Sequence, residues 1–418
     1  MPTKVLMFGW EFPPMITGGL GTACLGITEG LAENGVKVTF VMPHLQGENP
    51  YKHLEFVDAS KVPHKYKDID ILTIDSTLLP YQTFDEYITL INKGNFIHDF
   101  LENNPNQKSL YGQNIFQEVE RFKRSAASIT EQNDFDVIHA HDWMTAQAGV
   151  EAKKSSGKPL VLHIHATEMD RTLGNPDQRI YDMEKDAMEI ADKIIAVSEW
   201  TKKTILKYYP IDPNKIVVVH NAVEQLKAKA FFRSKILKKD KIVLFLGRMT
   251  MMKGPEYFIQ AAKKVLEVDP NIKFVMAGTG DSLKKIINLS IELGISKKVM
   301  FLGFYDPSTV DRMCSTCNLL VMPSVSEPFG IVPLEAARNK VPVIISKSSG
   351  VAEILNNALK VDFWDIDEMA NKILAVLKYQ PLHTQLRTDA LGDLKNLTWL
   401  NQAKKIQHVY NSVVNIHS

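Results

Sequence analysis

The sequence predicts an α/β protein made of two successive strand–helix series, and three stretches carry that expectation. Lys4 to Met42 reads as strand, glycine loop, helix and strand. Ile242 opens a second series, in which KIVLFLGRMTMMKG, FVMAGTGD and VMFLGF each end an apolar strand in a polar loop. Ser324 to Glu353, SVSEPFGIVPLEAARNKVPVIISKSSGVAE, follows a strand at Leu319 to Met322 and holds a loop, a helix, a further strand and a second glycine loop. At 418 residues the chain has room for two or three domains of about 150 residues each.

Composition narrows the class. Hydrophobic residues make up 45% and charged residues 23%, as in ordinary globular proteins, and the formal net charge of +1 points to neither nucleic acid nor an anionic membrane as main partner. No apolar run reaches the length of a membrane span. The N-terminus reads as the first strand of a cytoplasmic protein, since VLMFGWEFPP lacks a basic leader and a cleavage site. Cys24, Cys314 and Cys317 suit a reducing compartment. The single C-x-x-C, inside the helical VDRMCSTCNLL, lacks the further ligands that structural zinc needs and is read as core.

Taken in order, Lys4 to Phe8 is a buried strand, Thr22 caps a helix running to Glu33, and Val36 to Met42 is the second strand. The intervening loop, Gly18-Gly19-Leu20-Gly21, is not the G-x-G-x-x-G of dinucleotide sites. Residues 44 to 110 are less regular, with strands expected near Glu55 to Val57 and Ile69 to Ile74 and with aromatics Tyr81, Phe84, Tyr87 and Phe96. A long amphipathic helix follows at Gln113 to Gln132.

Two strands, Phe135 to His141 and Leu160 to His165, each finish with His-x-His. The period of two puts His139 with His141, and His163 with His165, on common faces. Ligands of open parallel sheets bind beyond the carboxyl ends of strands, which favours the terminal members His141 and His165, with Asp142 beside them. A helix at Arg179 to Ala191, a strand at Lys193 to Val197, a helix capped by Ser198 and a strand at Ile216 to Val219 complete the first series. The pattern lapses at Asn221 to Lys241, a basic stretch read as the connection between domains and as a hinge at 222 to 240.

In the second series Arg248 and Lys253 share one strand-end loop, two cations five residues apart that suit a diphosphate. Glu327 stands before the Pro-Phe-Gly turn, and proline after it restricts it to extended backbone, so its carboxylate is expected to project into a cleft rather than pack. Glu335 follows eight residues later in a helix spanning Val332 to Lys340. The loop at Ser348 to Gly350 is expected to lead into another helix. A glycine loop feeding a helix offers free N–H groups to phosphate, whereas the two carboxylates suit neutral hydroxyls. Trp399, Ala403, Ile406, Val409, Tyr410 and Val413 form an apolar stripe on a last helix that must be buried on something.

The motifs GGLG after WEFPP, HAHDW, GRMTMMKG and SEPFGIVPLEA, in that order, resemble the bacterial glycogen and starch synthases and their relatives among retaining, nucleotide-sugar-dependent glycosyltransferases. That resemblance implies the GT-B fold, two facing Rossmann-like domains with a cleft between them. Residues 1–225 would form the acceptor-side domain, 226–395 the nucleotide-sugar domain, and 396–418 a helix crossing back to the first. It matches Arg248 and Lys253 to the diphosphate-binding pair, Glu327 to the carboxylate beside the transferred sugar, and Glu335 to the ribose-binding acid. Phe329, Gly330, Ile331 and Val332 match the loop whose backbone touches sugar hydroxyls and phosphate. His141 matches the histidine near the sugar 6-hydroxyl, and Gly18 and Gly19 the loop closing over the donor. His165 and Asp142 are further sugar or acceptor contacts, and the 44–110 aromatics suit an acceptor lobe. Ile16 stands where the synthases carry lysine, and HIHATEMDR differs from their His-Asn segment.

The expected activity is transfer of a hexosyl unit, glucose first, from ADP-glucose or UDP-glucose to an α-glucan or another glycan, with retention, no cofactor and no metal. A nucleotide-sugar epimerase on the same fold and a His-ligated metal-dependent hydrolase built on His139, His141, His163 and His165 are the alternatives.

Overall fold

A computed structural model describes residues 3–13, 18–43, 51–59, 115–224, 241–305 and 307–417. The strand expected at Ile69 to Ile74, the four aromatics Tyr81, Phe84, Tyr87 and Phe96, Ile16 and the connection from 225 to 240 lie outside them.

Strands β1 (Lys4–Phe8), β2 (Lys37–Met42), β3 (Glu55–Asp58), β4 (Val137–His141), β5 (Leu160–Ile164), β6 (Lys193–Ala196) and β7 (Ile216–Val218) form one sheet in the order β3-β2-β1-β4-β5-β6-β7. Strands β8 (Ile242–Leu246), β9 (Lys273–Ala277), β10 (Val299–Gly303), β11 (Leu319–Met322), β12 (Val343–Ser346) and β13 (Leu359–Val361) form a second in the order β10-β9-β8-β11-β12-β13. Every described pair is parallel, and helices link most successive strands, with a 3₁₀ turn between β12 and β13. Both sheets therefore repeat one Rossmann-like order, in which the chain starts at the centre, runs to one edge, and returns to build the other side.

Alternation along the strands builds the core. Val5, Met7, Val137 and Val161 face one apolar cluster, while Leu6, Phe8, Ile138 and Leu160 face another. The first cluster continues through Trp399, Tyr410 and Val413 into Leu244, Leu246, Leu320 and Met322 of the second sheet, so one core runs through both domains.

The C-terminal helix, Trp399–His417, buries its expected stripe on the first domain. Its seat is the helix Gly19–Glu33, where a Cβ at Gly26 would fall 2.2 Å from the Trp399 ring and one at Gly30 would fall 2.6 Å from the Trp399 carbonyl oxygen. Two glycines one turn apart thus let the indole lie on bare backbone. Asn34, past the helix end, donates to the Leu400 carbonyl at 3.2 Å.

Two local expectations are corrected. The first helix begins at Gly19 with Gly18 as its N-cap, so Thr22 lies inside it rather than capping it. The loop after Ser348 makes only a 3₁₀ turn, Gly350–Glu353, whose first two amides, free at any helix start, donate to the Glu327 and Phe329 carbonyls.

Trp399→Ala is expected to cost about 3 kcal/mol of unfolding free energy, the scale of emptying a large aromatic site. Denaturant unfolding checks this, and a variant within about 0.5 kcal/mol of wild type would mean that the glycine seat contributes little.

Candidate functional site

In each sheet the strand order turns around at the centre, between β1 and β4 and between β8 and β11, the place beyond the carboxyl ends of the strands where open parallel sheets bind ligands. The loops leaving these four strands carry Gly18 and Gly19, His141 and Asp142, Arg248 and Lys253, and Glu327. Both sheets thus spend their switch points on the residues the sequence singled out.

The β8 and β11 loops are tied together. Val325 N–H donates to the Met252 carbonyl at 2.9 Å, and a Cβ at Gly254, whose φ is 62°, would lie 2.2 Å from the Pro323 carbonyl oxygen. That contact brings Lys253 Nζ to 2.5 Å from Glu327 Oε2, and Ser324 Oγ donates to the same oxygen at 3.1 Å. Glu327 is only 4% exposed. The expectation of a carboxylate projecting free is therefore corrected: Glu327 sits at the strand end but packs, because a desolvated carboxylate needs compensating donors. Arg248 is half-buried on the same β8 loop, which packs on the β9 loop through Met249 N–H to the Thr279 carbonyl.

Two helix N-termini meet across the domain boundary. Gly330, at φ 100°, is the N-cap of the helix Ile331–Arg338, and Gly18 is that of Gly19–Glu33. A Cβ at Gly19 would lie 3.7 Å from Ile331 Cδ1. Glycine offers no side-chain acceptor and neither first turn holds an acid, so neither positive dipole end is met by a side chain of its own cap or first turn. Gly18 and Gly19 are exposed, Ile331 and Val332 are half-buried, and Phe329 packs in the core. Glu335, one turn into the second helix, has its pKa pushed up to about 7 by burial, against the pull of Arg338.

The four histidines stack. The β4–β5 register sets His141 opposite His163, and ring centroids lie 4.4 Å apart for His139/His141 and His163/His165 and 5.3 Å apart for His139/His163. His141 Nδ1 is 3.0 Å from His165 Nε2, while His139 reaches the Tyr410 hydroxyl of the C-terminal helix. His139, His141 and His163 are withdrawn from solvent and His165 is half-buried. Burial holds His139 down at about 3 and depresses His141, His163 and His165 as well. Nitrogens of His139, His141 and His163 come within 4.8 Å of one another, in near-parallel rings withdrawn from solvent.

Sequence reasoning missed a charged network beneath His165. Asp142, at φ 56°, accepts from the amides of His165 at 2.7 Å and Ala166 at 3.3 Å, which fixes the turn out of β5. Arg171 lies 3.5 Å from Asp142, 3.6 Å from Glu168 and 2.9 Å from Glu184, so one cation serves three carboxylates. Burial accordingly raises Glu184 to about 7, although Arg171 and Tyr209 oppose the shift. Asp170 and Ser326 join this loop to the second domain at 2.9 Å. Only the charge density of TEMDR hinted at such a network.

Comparison with known proteins agrees with this arrangement. Residues 227–391 match the profile of glycosyl transferases group 1, and residues 4–212 match that of the starch synthase catalytic domain. An uncharacterised glycosyltransferase of Methanocaldococcus jannaschii is 30% identical over 97% of each chain. The chain belongs to the group 1 glycosyltransferases. A glycogen synthase of Mycobacterium tuberculosis is 24% identical to this glycosyltransferase, over 85% of its chain and 80% of the relative. A sucrose-phosphate synthase from Thermosynechococcus elongatus superposes with a TM-score of 0.77 at 17% identity, covering 99% of this chain and 100% of that one. Anabaena HepE, solved with UDP and glucose, superposes with a TM-score of 0.68 at 17% identity, covering 98% and 100%. These likenesses show the GT-B fold.

A carboxyl group with a raised pKa favours the folded state only while it is protonated. Glu184 should therefore support the fold below pH 4.5 and lose that contribution as pH rises through about 7. Thermal midpoints across pH 5 to 8 should show wild type falling relative to Glu184→Gln; parallel curves would contradict the assignment.

Proposed function

We propose that this glycosyltransferase transfers a hexosyl unit, glucose first, from ADP-glucose or UDP-glucose to an α-glucan or another glycan, with retention at the anomeric carbon. The observation that carries the reading is the convergence of Lys253, Glu327 and two glycine-capped helix N-termini on the switch points of both sheets.

Breaking the bond between a sugar and a diphosphate builds negative charge on phosphate and positive charge at the anomeric carbon. Arg248, Lys253 and the helix amides at Gly19 and Ile331 meet the first charge. Once a diphosphate draws Lys253 away, Glu327 is left beside the transferred sugar, where its carboxylate orients hydroxyls and favours the developing cation. Glu335 takes the ribose hydroxyls. His141, kept neutral by burial, hydrogen-bonds the sugar without adding charge, and His165 with Asp142 shapes the acceptor side. The acceptor oxygen attacks from the face that phosphate leaves.

The match of both halves of the chain to glycosyltransferase models favours this reading over the metal-dependent hydrolase. Epimerisation differs in needing no acceptor. A panel of ADP-, UDP- and GDP-sugars, with and without α-glucan, read by released nucleotide and by product anomer, tests the proposal. Acceptor-dependent release with a retained anomer is expected; acceptor-independent conversion, inversion, or no release from any donor would overturn it.

Glu327→Gln should lower kcat by about 10²- to 10³-fold, the scale of losing one preorganised electrostatic group, measured in single-turnover transfer. Near-wild-type turnover would remove Glu327 from the chemistry. Because protein cations meet the diphosphate, turnover should also survive EDTA; loss restored by one divalent ion would contradict that assignment.

A further inference from the structure

The segment Ser326-Glu327-Pro328 belongs to the second domain, yet the residues on both sides of Glu327 bond to the first. Ser326 Oγ donates to Asp170 Oδ1 at 2.9 Å. The Pro328 carbonyl accepts from Ser198 Oγ at 2.5 Å and from Thr201 Oγ1 at 3.2 Å. Ser198 and Thr201 are fully buried and form the N-cap and first turn of the helix Glu199–Tyr208. The same helix end is met by Glu353, whose carboxylate accepts the amides of Glu199 at 2.9 Å and Trp200 at 2.7 Å and lies 3.0 Å from His220 Nε2.

Glu353 in turn closes the strip that backs Glu327. Glu327 N–H donates to the Ser348 carbonyl at 3.0 Å, Gly350 N–H to the Glu327 carbonyl at 2.9 Å, and Val351 N–H to the Phe329 carbonyl at 2.7 Å. Gly350 has no room for a side chain, since its Cβ would fall 2.2 Å from the Pro328 carbonyl oxygen and 2.6 Å from Ser198. Helix end, Pro328 carbonyl and Gly350 are thus in three-way contact. When the domains separate, Pro328 and Glu353 lose these partners together.

We propose that the N-terminus of the helix Glu199–Tyr208 clamps the Glu327 segment across the domain boundary, with Glu353 and Ser198 as positioning residues for the transfer step. Lys253 and Ser324 hold the Glu327 carboxylate from within the second domain, and the clamp fixes the backbone on either side of it against the first. This rests on the transfer function proposed above. Because Glu353 and Ser198 act through one closed arrangement, removing either should release it, and removing both should add little.

The test compares wild type, Ser198→Ala, Glu353→Gln and the double variant in two ways. Hydrogen exchange of the peptide spanning Val197 to Leu206 reads the clamp without any sugar chemistry. Single-turnover transfer with calorimetric nucleotide binding separates turnover from donor affinity. Each single variant is expected to expose the Glu199 and Trp200 amides to exchange and to lower kcat by about 10- to 10²-fold, the scale of a misplaced reacting group, with nucleotide affinity unchanged. The double variant is expected to match the worse single. Faster exchange with unchanged turnover would reduce the contact to packing and overturn the proposal, as would multiplicative losses in the double variant or a parallel loss of nucleotide affinity. If wild type transfers no sugar from any donor, the proposed function fails instead; the clamp is then judged by exchange alone, and amides as protected in Glu353→Gln as in wild type would overturn it.

Discussion

Glu327 sits almost out of reach of water, and a carboxylate in that position persists only where donors converge on it. Lys253 and Ser324 supply them from two strand-end loops of one sheet. Their meeting depends on Gly254, whose missing side chain lets the β8 loop lie against Pro323. The local arrangement of the second domain follows from that approach: β8 and β11 are neighbours, their loops touch, and the cation of one lands on the anion of the other. In the proposed transfer a diphosphate would divide this pair, offering Lys253 a denser partner than the carboxylate does.

The first domain reaches the same residues by different means. Its helix Gly19–Glu33 aims an uncapped N-terminus at Ile331, and the helix Glu199–Tyr208 grips Pro328. The C-terminal helix spans the design by burying Trp399 in the glycine groove of the first domain, within a core continuous with the second. The stacked histidines sit on that helix through Tyr410, so the column that ends in His165 is braced from below.

Much of this was legible in the residues. Alternating apolar strands with polar loops announced two parallel sheets, and the ordered motifs placed Lys253 and Glu327 on strand-end loops of the second series. The depth of Glu327 was not legible, because burial depends on the approach of β8 to β11, which no local pattern encodes. Thr22 misled for a simpler reason: it is a good cap, but the chain had already entered the helix at Gly19. Ser198 was readable as a cap of its own helix, while its bond to Pro328, 130 residues away, was not. Glu353 fell in the helix expected after Gly350, and nothing in sequence indicates that its carboxylate will close on a helix end of the other domain.

The most direct measurement is calorimetric affinity for a nucleoside diphosphate in Lys253→Ala and Glu327→Gln. If Lys253 serves phosphate and Glu327 serves sugar, the lysine variant binds about tenfold or more weakly, as expected for a lost charge-assisted contact, whereas the glutamate variant binds as tightly as wild type or more tightly. Equal weakening in the two variants would contradict that division of labour.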